Sequence, residues 1–250
     1  MNLAEHFNAA LIFNAGLHPQ QELATALATS AAQVLPVDAA GISLFGGRRR
    51  VPLGASTPAA AAAEQWQYTL GEGPCLSAYE RGEPVVADEA TFLRSWSGLY
   101  AELRRHGPYR AVIALPLGSG QGALGAVDLY FTTAAPAADF DLPAAQTVAL
   151  LIHAALLQAS TPRPPVDGQS TPVGDPARSP AWLDSTSART RHNVRVAIGM
   201  CIAGLAISAD EAAALLRARA YADDLTMDEL AADIADGTTP VGDLRDPHHP

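Results

Sequence analysis

The stretch that decides the fold of the first half of this 250-residue chain lies between positions 70 and 86. It reads Leu70-Gly71-Glu72-Gly73-Pro74-Cys75-Leu76-Ser77-Ala78 and, after three residues, Gly82-Glu83-Pro84-Val85-Val86. We predict a short helix from Cys75 onward and a short strand at 84–87, because a brief apolar run bounded by Gly and Pro is typical of a strand. A small helix and a small strand therefore occupy the middle of this half.

Two predicted hairpins flank this stretch. The first covers residues 39–55, with Gly46-Gly47 as its turn, and the second covers 111–131, with its turn around Ser119-Gly120-Gln121. Apolar residues at helical spacing predict helices at 2–15, from Pro19 onward and at 139–159. This order predicts an antiparallel sheet with helices packed on one face.

Three further helices are predicted in the second half. The first runs from about 184 to 206, with apolar residues from Val194 to Leu205 at helical spacing. Capping boxes at Ser208–Glu211 and Thr226–Glu229 open the other two helices, and Gly237 is a natural C-cap. These signals predict a small all-α unit.

The predicted domain organisation follows from these patterns. Residues 1–160 form an α+β domain, 161–181 a Pro-rich disordered linker, 182–239 the three-helix domain and 240–250 a flexible tail. The net charge is −10, and Cys75 and Cys201 fall on opposite sides of the linker, so we expect no disulfide. We find no uninterrupted apolar run of membrane-spanning length and no signal peptide, so we expect a cytoplasmic protein.

The 70–86 stretch resembles the signature of GAF domains in actinobacterial regulators. The second hairpin, with 114–117 followed by 122–129, also fits, and the resemblance spans about 20–160. It implies a sensory domain with a ligand pocket between the sheet and the segment that joins the two hairpins. The flanking helices 2–15 and 139–159 are then the expected seam of a homodimer.

The three-helix unit, over about 184–237, resembles the ANTAR domain, an output module of transcription antiterminators. The matched features are Arg191, Ala197, Gly199, the start of the second helix at 208–212, Leu216-Arg217, Ala220 and 229–231. The resemblance implies a signal-responsive antiterminator that binds RNA carrying paired hairpins. The RNA-binding candidates are Arg191, Arg195, Gly199, Arg217, Arg219 and Tyr221.

A second interpretation of the three-helix unit stays open. Residues 182–239 hold five arginines against nine acidic residues, whereas nucleic-acid binders usually present a basic face. The position that is commonly Lys in ANTAR domains is Ile198, and the turn after the second helix carries Asp223 and Asp224. The alternative is a regulatory protein that does not bind RNA, with helices that serve dimerisation or protein interaction.

The pocket candidates lie in and around the segment that joins the two hairpins. They are Trp66, Tyr68, Cys75, Phe92, Trp96 and Tyr109. The rings either line a pocket for a flat or apolar ligand or fill it as core. Cys75 is either a thiol of lowered pKa at a helix start or a packed small hydrophobe.

Other kinds of site have little support in the sequence. We find no nucleophile elbow, phosphate-binding loop or dinucleotide fingerprint, and the only conceivable catalytic pair is Cys75 with His106. We therefore expect no enzyme activity and no metal site, with an unknown small-molecule or redox signal as input, and the cofactor stays unknown. The run Arg48-Arg49-Arg50 is interpreted as a solvated strand edge.

Overall fold

The computed structural model describes residues 2–17, 23–46, 49–160 and 186–245. The predicted linker at 161–181 lies outside the described residues, as do the first four residues of the predicted helical domain and the last five of the tail. The division into domains at those positions therefore stays a prediction.

The first unit consists of seven helices and five strands within the described residues. The helices are α1 (Leu3–Leu17), α2 (Leu23–Val34), α3 (Pro58–Leu70), α4 (Pro74–Arg81), α5 (Glu89–Ser95), α6 (Ser97–His106) and α7 (Leu142–Ser160). The strands are β1 (Ala39–Gly46), β2 (Arg49–Ala55), β3 (Val85–Ala87), β4 (Ala111–Leu117) and β5 (Gly125–Phe131). Each helix and strand predicted for this half is present, with its ends shifted by a few residues.

The five strands form one antiparallel sheet in the order β2-β1-β5-β4-β3. Both predicted hairpins are present, since β1 pairs with β2 and β4 pairs with β5. The central strand β5 joins them by pairing with β1 as well. The long segment between the hairpins contributes the edge strand β3 and the helices α3 to α6.

Helices cover both faces of the sheet, so the prediction that they pack on one face is wrong. Helices α1, α2 and α7 pack on one face, against a core that includes Ile42, Ile113 and Leu129. Helices α3, α5 and α6 cover the other face, against Val112 and Tyr130. The physical reason is visible in β4 and β5, which are apolar at nearly every position, as expected for strands buried on both sides.

The outer surface of α1 and α7 stays apolar after the sheet is covered. Large side chains are exposed there, namely Ile12, Phe13, Leu150 and Leu157. Helix α7 has the length and composition of a membrane-spanning helix, although its opposite face, with Val148 and Ile152, is buried in the first core. The exposed apolar surface lies along the helices predicted to form a dimer seam.

The second unit contains the three predicted helices, α8 (Thr186–Leu205), α9 (Ala209–Ala222) and α10 (Met227–Asp236). Both capping boxes are formed in full, at Ser208 with Glu211 and at Thr226 with Glu229. Gly237 ends α10 with a φ of 86°, the left-handed conformation that favours glycine at a C-cap. A short 3-10 helix at Val241–Arg245 then packs Leu244 into the core of this unit.

Candidate functional site

A network of polar side chains is buried under the face of the sheet that α3 covers. It is built by residues that each element places on the same side: Asp128 and Tyr130 two apart on β5, and Glu64 and Gln67 three apart on α3. Strand β2 adds Arg50, and β1 adds Ser43. All six side chains are less than a tenth exposed.

Glu64 is the centre of this network. Arg50 donates through Nη2 to the Glu64 carboxylate at 2.5 Å and through Nη1 to the Glu64 main-chain carbonyl at 2.9 Å. The hydroxyls of Ser43 and Tyr130 donate to the same carboxylate, at 2.5 and 2.7 Å. A buried carboxylate with an arginine partner and two further donors is well compensated for its loss of water.

Gly41 on β1 leaves the space that Glu64 occupies. A Cβ atom at position 41 would lie 2.4 Å from Glu64 Oε1, closer than any real contact. The absence of a side chain at this strand position therefore lets the carboxylate reach Arg50 and Tyr130. Glycine is otherwise unfavourable inside a strand, which marks this position as one that serves the network.

Asp128 is fully buried, and only one of its two carboxyl oxygens has a hydrogen-bond partner among the described residues. Its Oδ2 accepts from Gln67 Nε2 at 2.6 Å, while Oδ1 has no hydrogen-bond partner among the described residues. Burial raises the pKa of Asp128 well above its usual range, and the nearby Glu64 raises it further. The Arg50 guanidinium, 3.7 Å from Asp128 Oδ2, opposes this shift. Protonation of Asp128 would leave the network without net charge, because Arg50 and Glu64 balance each other.

Cys75 lies beside this network, at the start of α4. Its thiol is buried, and its backbone N–H donates to Gln67 Oε1 at 3.3 Å. Burial raises the pKa of the Cys75 thiol well above its usual range, although Arg50 opposes the shift. A reactive thiolate needs a lowered pKa, so this environment favours the interpretation of Cys75 as a packed thiol.

Glu64, Cys75 and Asp128 place one ligand atom each within 4.8 Å of one another, which is a geometry that could hold a metal ion. The Glu64 oxygens, however, already accept from Arg50, Ser43 and Tyr130. A cation would have to displace the Arg50 guanidinium, which carries the same sign of charge. The donor set therefore suits the ion pair better than a metal.

Four of the six pocket candidates belong to the core between the sheet and helices α3, α5 and α6. Trp66, Phe92 and Tyr109 are buried there, and Trp96 packs against them partly exposed. Their rings contact other aromatic rings. The ring centroids of Phe92 and Trp96 are 5.9 Å apart, and those of Tyr109 and Tyr130 are 4.8 Å apart. These side chains fill the space between the sheet and α5 and α6.

His106 has different neighbours from Cys75. Its ring stacks on Trp66, and its Nε2 lies 3.3 Å from Glu102 Oε2. Cys75 instead lies near Arg50 and Asp128. The structure therefore gives these two residues separate surroundings and offers no support for a catalytic pair.

The sixth candidate, Tyr68, takes part in the contact between the two units, which we call the docking interface. Helices α9 and α10 pack on α3, and α8 approaches β2. Tyr68 packs against the core of the three-helix unit, and the N–H of Met227 donates to Thr69 Oγ1 at 2.9 Å in a buried position. Arg105 forms an ion pair with Asp224 at the edge of the interface.

Asp228 adds an ionisable group to the docking interface. Burial raises the pKa of Asp228 to about 6, an effect that a hydrogen bond with Gln65 partly opposes and the neighbouring Glu229 increases. The side chain sits at the start of α10, directly after Met227. Its carboxylate therefore loses water when the three-helix unit packs on the first unit.

Two cavities open along the docking interface, with volumes of about 310 and 400 Å³. Both are lined by Arg50 and Tyr68 from the first unit and by Ala213 and Arg217 from the second. Arg50 thus belongs to the buried network on one side and to the cavity wall on the other. Arg50 therefore connects the buried network to the cavities between the two units.

The RNA-binding candidates do not share one surface among the described side chains. Arg195 and Gly199 are exposed on α8, with Arg195 at the mouth of the smaller cavity. Arg217 approaches Gly71 of the first unit, and the Tyr221 hydroxyl approaches Gly98. Arg219 instead pairs with Asp223 at 2.5 Å, and the side chain of Arg191 lies outside the described residues.

The network was missed in the sequence, and its position corrects one interpretation. Arg50 is buried, so the solvated-edge hypothesis for Arg48–Arg50 is wrong at this position, because α3 covers β2 and supplies Glu64 as counter-charge. A signal was available in the sequence. Glu64 is the only charged residue of the alanine-rich α3, and Asp128 is the only charged residue of β5.

Comparisons with known proteins place the first unit in a family. The model of the family described as "GAF domain" matches residues 19–156. Solved structures that match the chain include GAF domains of phosphoenolpyruvate-protein phosphotransferases from Coxiella burnetii and Acinetobacter. Each is 15% identical to this chain; their TM-scores are 0.44 and 0.41, and the matches cover 62% of this chain and 95% and 93% of theirs.

Another structure of this kind is free methionine-R-sulfoxide reductase from Neisseria meningitidis, solved in complex with its substrate. It is 14% identical with a TM-score of 0.38, and the match covers 62% of this chain and 90% of that one. No curated protein matches the chain. The family assignment therefore rests on the domain model.

The network predicts unequal effects of two conservative substitutions. Glu64→Gln should lower the free energy of unfolding by about 3 kcal/mol at neutral pH, because the buried Arg50 charge loses its anionic partner. Asp128→Asn should change it by less than about 1 kcal/mol, because an amide resembles the protonated acid. Urea unfolding followed by circular dichroism measures both values. An equal loss in the two variants would contradict a protonated Asp128.

We predict that the difference in melting temperature between Asp228→Asn and the wild type depends on pH. Because packing raises the pKa of this carboxyl, its stabilising proton is present below about pH 4 and lost as the pH rises through about 6. The melting temperature of the variant minus that of the wild type should therefore rise over this range and then level off. Scanning calorimetry at a series of pH values measures the difference.

Asp236→Asn on the same helix is the matched control. Its carboxylate is exposed, and hydrogen bonds from Thr238 lower its pKa, so removing its charge should give no rise with pH. A flat difference for Asp228→Asn, or the same curve in both variants, would show that Asp228 is not desolvated by docking.

Proposed function

Because the chain belongs to the GAF domain family, which implies a signal-sensing role, we propose that it is a cytoplasmic, signal-responsive regulator without a catalytic step. In this proposal the GAF domain holds the three-helix unit in a docked state, and the signal shifts the balance between docked and released forms. The released three-helix unit is the active output.

The observation that carries this proposal is the continuity between the buried network and the docking interface. Arg50 binds Glu64 inside the GAF domain and also lines the cavities that α9 closes. Tyr68 and Thr69, one helical turn beyond Glu64 on α3, contact the three-helix unit directly. A rearrangement of α3 around Glu64 would therefore move the surface on which α9 and α10 rest.

We assign RNA binding to the released form, as an antiterminator that recognises paired hairpins. The resemblance to ANTAR domains supports this output, and the docked geometry is consistent with an inactive state. Arg217 and Tyr221 lie against the GAF domain, next to Gly71 and Gly98. Release would uncover the covered part of Arg217 and the remainder of Tyr221, which is already 45% exposed. Because the unit is acidic, binding should depend on these few side chains and weaken steeply with salt.

The alternative output is protein interaction, and one observation favours it specifically. Helix α8 exposes the large apolar side chains Met200 and Ile202 next to Gly199. Exposed large apolar side chains on a unit whose net charge is negative suit a protein partner better than a phosphate backbone. This alternative shares the docking mechanism but excludes RNA affinity in either form.

We further propose that the regulator is a homodimer joined through α1 and α7. The two helices pack against each other and expose Ile12, Phe13, Leu150 and Leu157 on the outside of the GAF domain. Two copies that pair these helices would bury the apolar surface. A dimer also carries two output units, which raises avidity for an RNA with two hairpins.

The double substitution Thr69→Val and Arg105→Asp should raise RNA affinity. It removes the acceptor of the Met227 N–H and places two acids opposite each other at the edge of the interface, so the three-helix unit is released. Titration with a paired-hairpin RNA at about 50 and 200 mM salt should show binding at least tenfold tighter than wild type at low salt, with a clear salt slope.

The matched control is Thr69→Val with Arg94→Asp, which makes the same change in charge on the exposed α5. It should retain most of the docking, as hydrogen exchange in α9 and α10 reports. If α9 and α10 exchange faster in the first variant but no RNA binds, the protein-interaction alternative holds. If exchange does not change in either variant, the docking mechanism itself is wrong.

The dimer proposal predicts that Leu150→Glu shifts the protein to a monomer. A buried charge in the seam should raise the dissociation constant at least about hundredfold. Sedimentation velocity of the wild type, of Leu150→Glu and of the control Leu93→Glu measures the effect. Leu93 is equally apolar and exposed on α5, away from the seam. A monomeric wild type would show that α1 and α7 do not form a dimer interface.

A further inference from the structure

Two arginine side chains at the docking interface each hold a buried donor with no acceptor. The Nε atoms of Arg50 and Arg217 are inaccessible and lack a hydrogen-bond partner among the described residues. Arg50 as a whole is only 6% exposed. Native proteins seldom leave such donors unpaired, because each costs free energy comparable to a lost hydrogen bond. Both arginines line the same cavities, one from each unit.

The charge around these arginines leaves room for one anion. The charge of Arg50 is balanced by Glu64, whereas Arg217 forms no ion pair with any described acid. Glu80 and Asp210 line the larger cavity, whereas no described acidic residue lines the smaller one, so an anion at Arg217 is favoured on the side of the smaller cavity. A single negative charge, delocalised over two oxygens, matches the planar guanidinium of Arg217.

Apart from Arg195, the remainder of the smaller cavity is mainly apolar. Its wall contains Val51 and Tyr68 from the GAF domain and Val194, Ile198 and Met227 from the three-helix unit. Its volume of about 310 Å³ is at the lower end of the range for small-molecule sites. A short acyl chain or a single ring system would fit beside the arginines.

We propose that the docking interface binds a small amphipathic carboxylate, with its head group at Arg217 and Arg50 and its apolar part in the smaller cavity. The inference rests on the docked regulator proposed above and names the chemical class of its signal. Because the wall is contributed by both units, the ligand binds only the docked form and stabilises it. Loss of the carboxylate then releases the output.

The test compares three probes on the full chain by isothermal titration calorimetry. Octanoate carries both halves of the proposed ligand, octanamide lacks the charge, and acetate lacks the apolar chain. Octanoate should bind at least tenfold more tightly than either, a difference of about 1.4 kcal/mol. Equal binding of octanoate and octanamide, or of octanoate and acetate, would overturn the proposal.

Two arginine variants on α9 locate the head group. Arg217→Gln should reduce the preference for octanoate over octanamide to less than about threefold. Arg219→Gln is the matched control, because Arg219 pairs with Asp223 and lies outside both cavities. It should keep the preference. A preference retained in Arg217→Gln, or lost equally in both variants, would contradict the assignment.

A third variant keeps the charges and fills the cavity. Ile198→Trp should weaken octanoate and octanamide alike, so the proposal stays testable even if Arg217→Gln fails to fold. Unchanged octanoate affinity in Ile198→Trp would place the site elsewhere. The docking variant Thr69→Val with Arg105→Asp distinguishes the two proposals. If hydrogen exchange in α9 is faster in this variant but the wild type does not bind octanoate, the carboxylate proposal is wrong and the docked-regulator proposal is retained.

Discussion

The buried ion pair between Arg50 and Glu64 is the constraint on which the rest of the structure depends. It joins β2 to α3, and through Tyr130 and Asp128 it reaches the central strand β5. Removing either charge would leave the other without its nearest counter-charge in the interior, so the two elements must stay together. The pair therefore fixes α3 over the second face of the sheet.

The position of α3 in turn decides where the three-helix unit can rest. The outer surface of this helix presents Gln65, Tyr68 and Thr69 to α9 and α10. The sheet is thus covered in two layers on this side, first by the GAF helices and then by α9 and α10 of the three-helix unit. Such an arrangement links a buried polar network to a distant surface through one rigid element, which is the physical basis of the proposed regulation.

The two faces of the GAF domain serve different purposes. The face with α1 and α7 has a mainly apolar core and an apolar outer surface, which suits association with a second copy. The face with α3 contains the polar network, the aromatic cluster and the docking interface. In the proposed mechanism, sensing and output are therefore concentrated on one side of the sheet, and assembly on the other.

The sequence by itself determined the elements whose signals are local. The capping boxes at Ser208 and Thr226, the cap at Gly237 and the two hairpins depend on residues a few positions apart, and all were predicted correctly. The glycine-rich stretch around Pro74 likewise indicated the family that the domain model then confirmed. These features are encoded by spacing, which a sequence displays directly.

Only the tertiary structure decided that Arg50 is buried, that both faces of the sheet are covered and that Arg217 turns toward the GAF domain. Each depends on a partner far along the chain; the Met227–Thr69 hydrogen bond, for example, joins residues 158 positions apart. A run of three arginines on a strand is equally compatible with solvent and with a buried carboxylate. The choice is made by the element that packs above it, because a charge is buried only where its counter-charge is delivered to the same place.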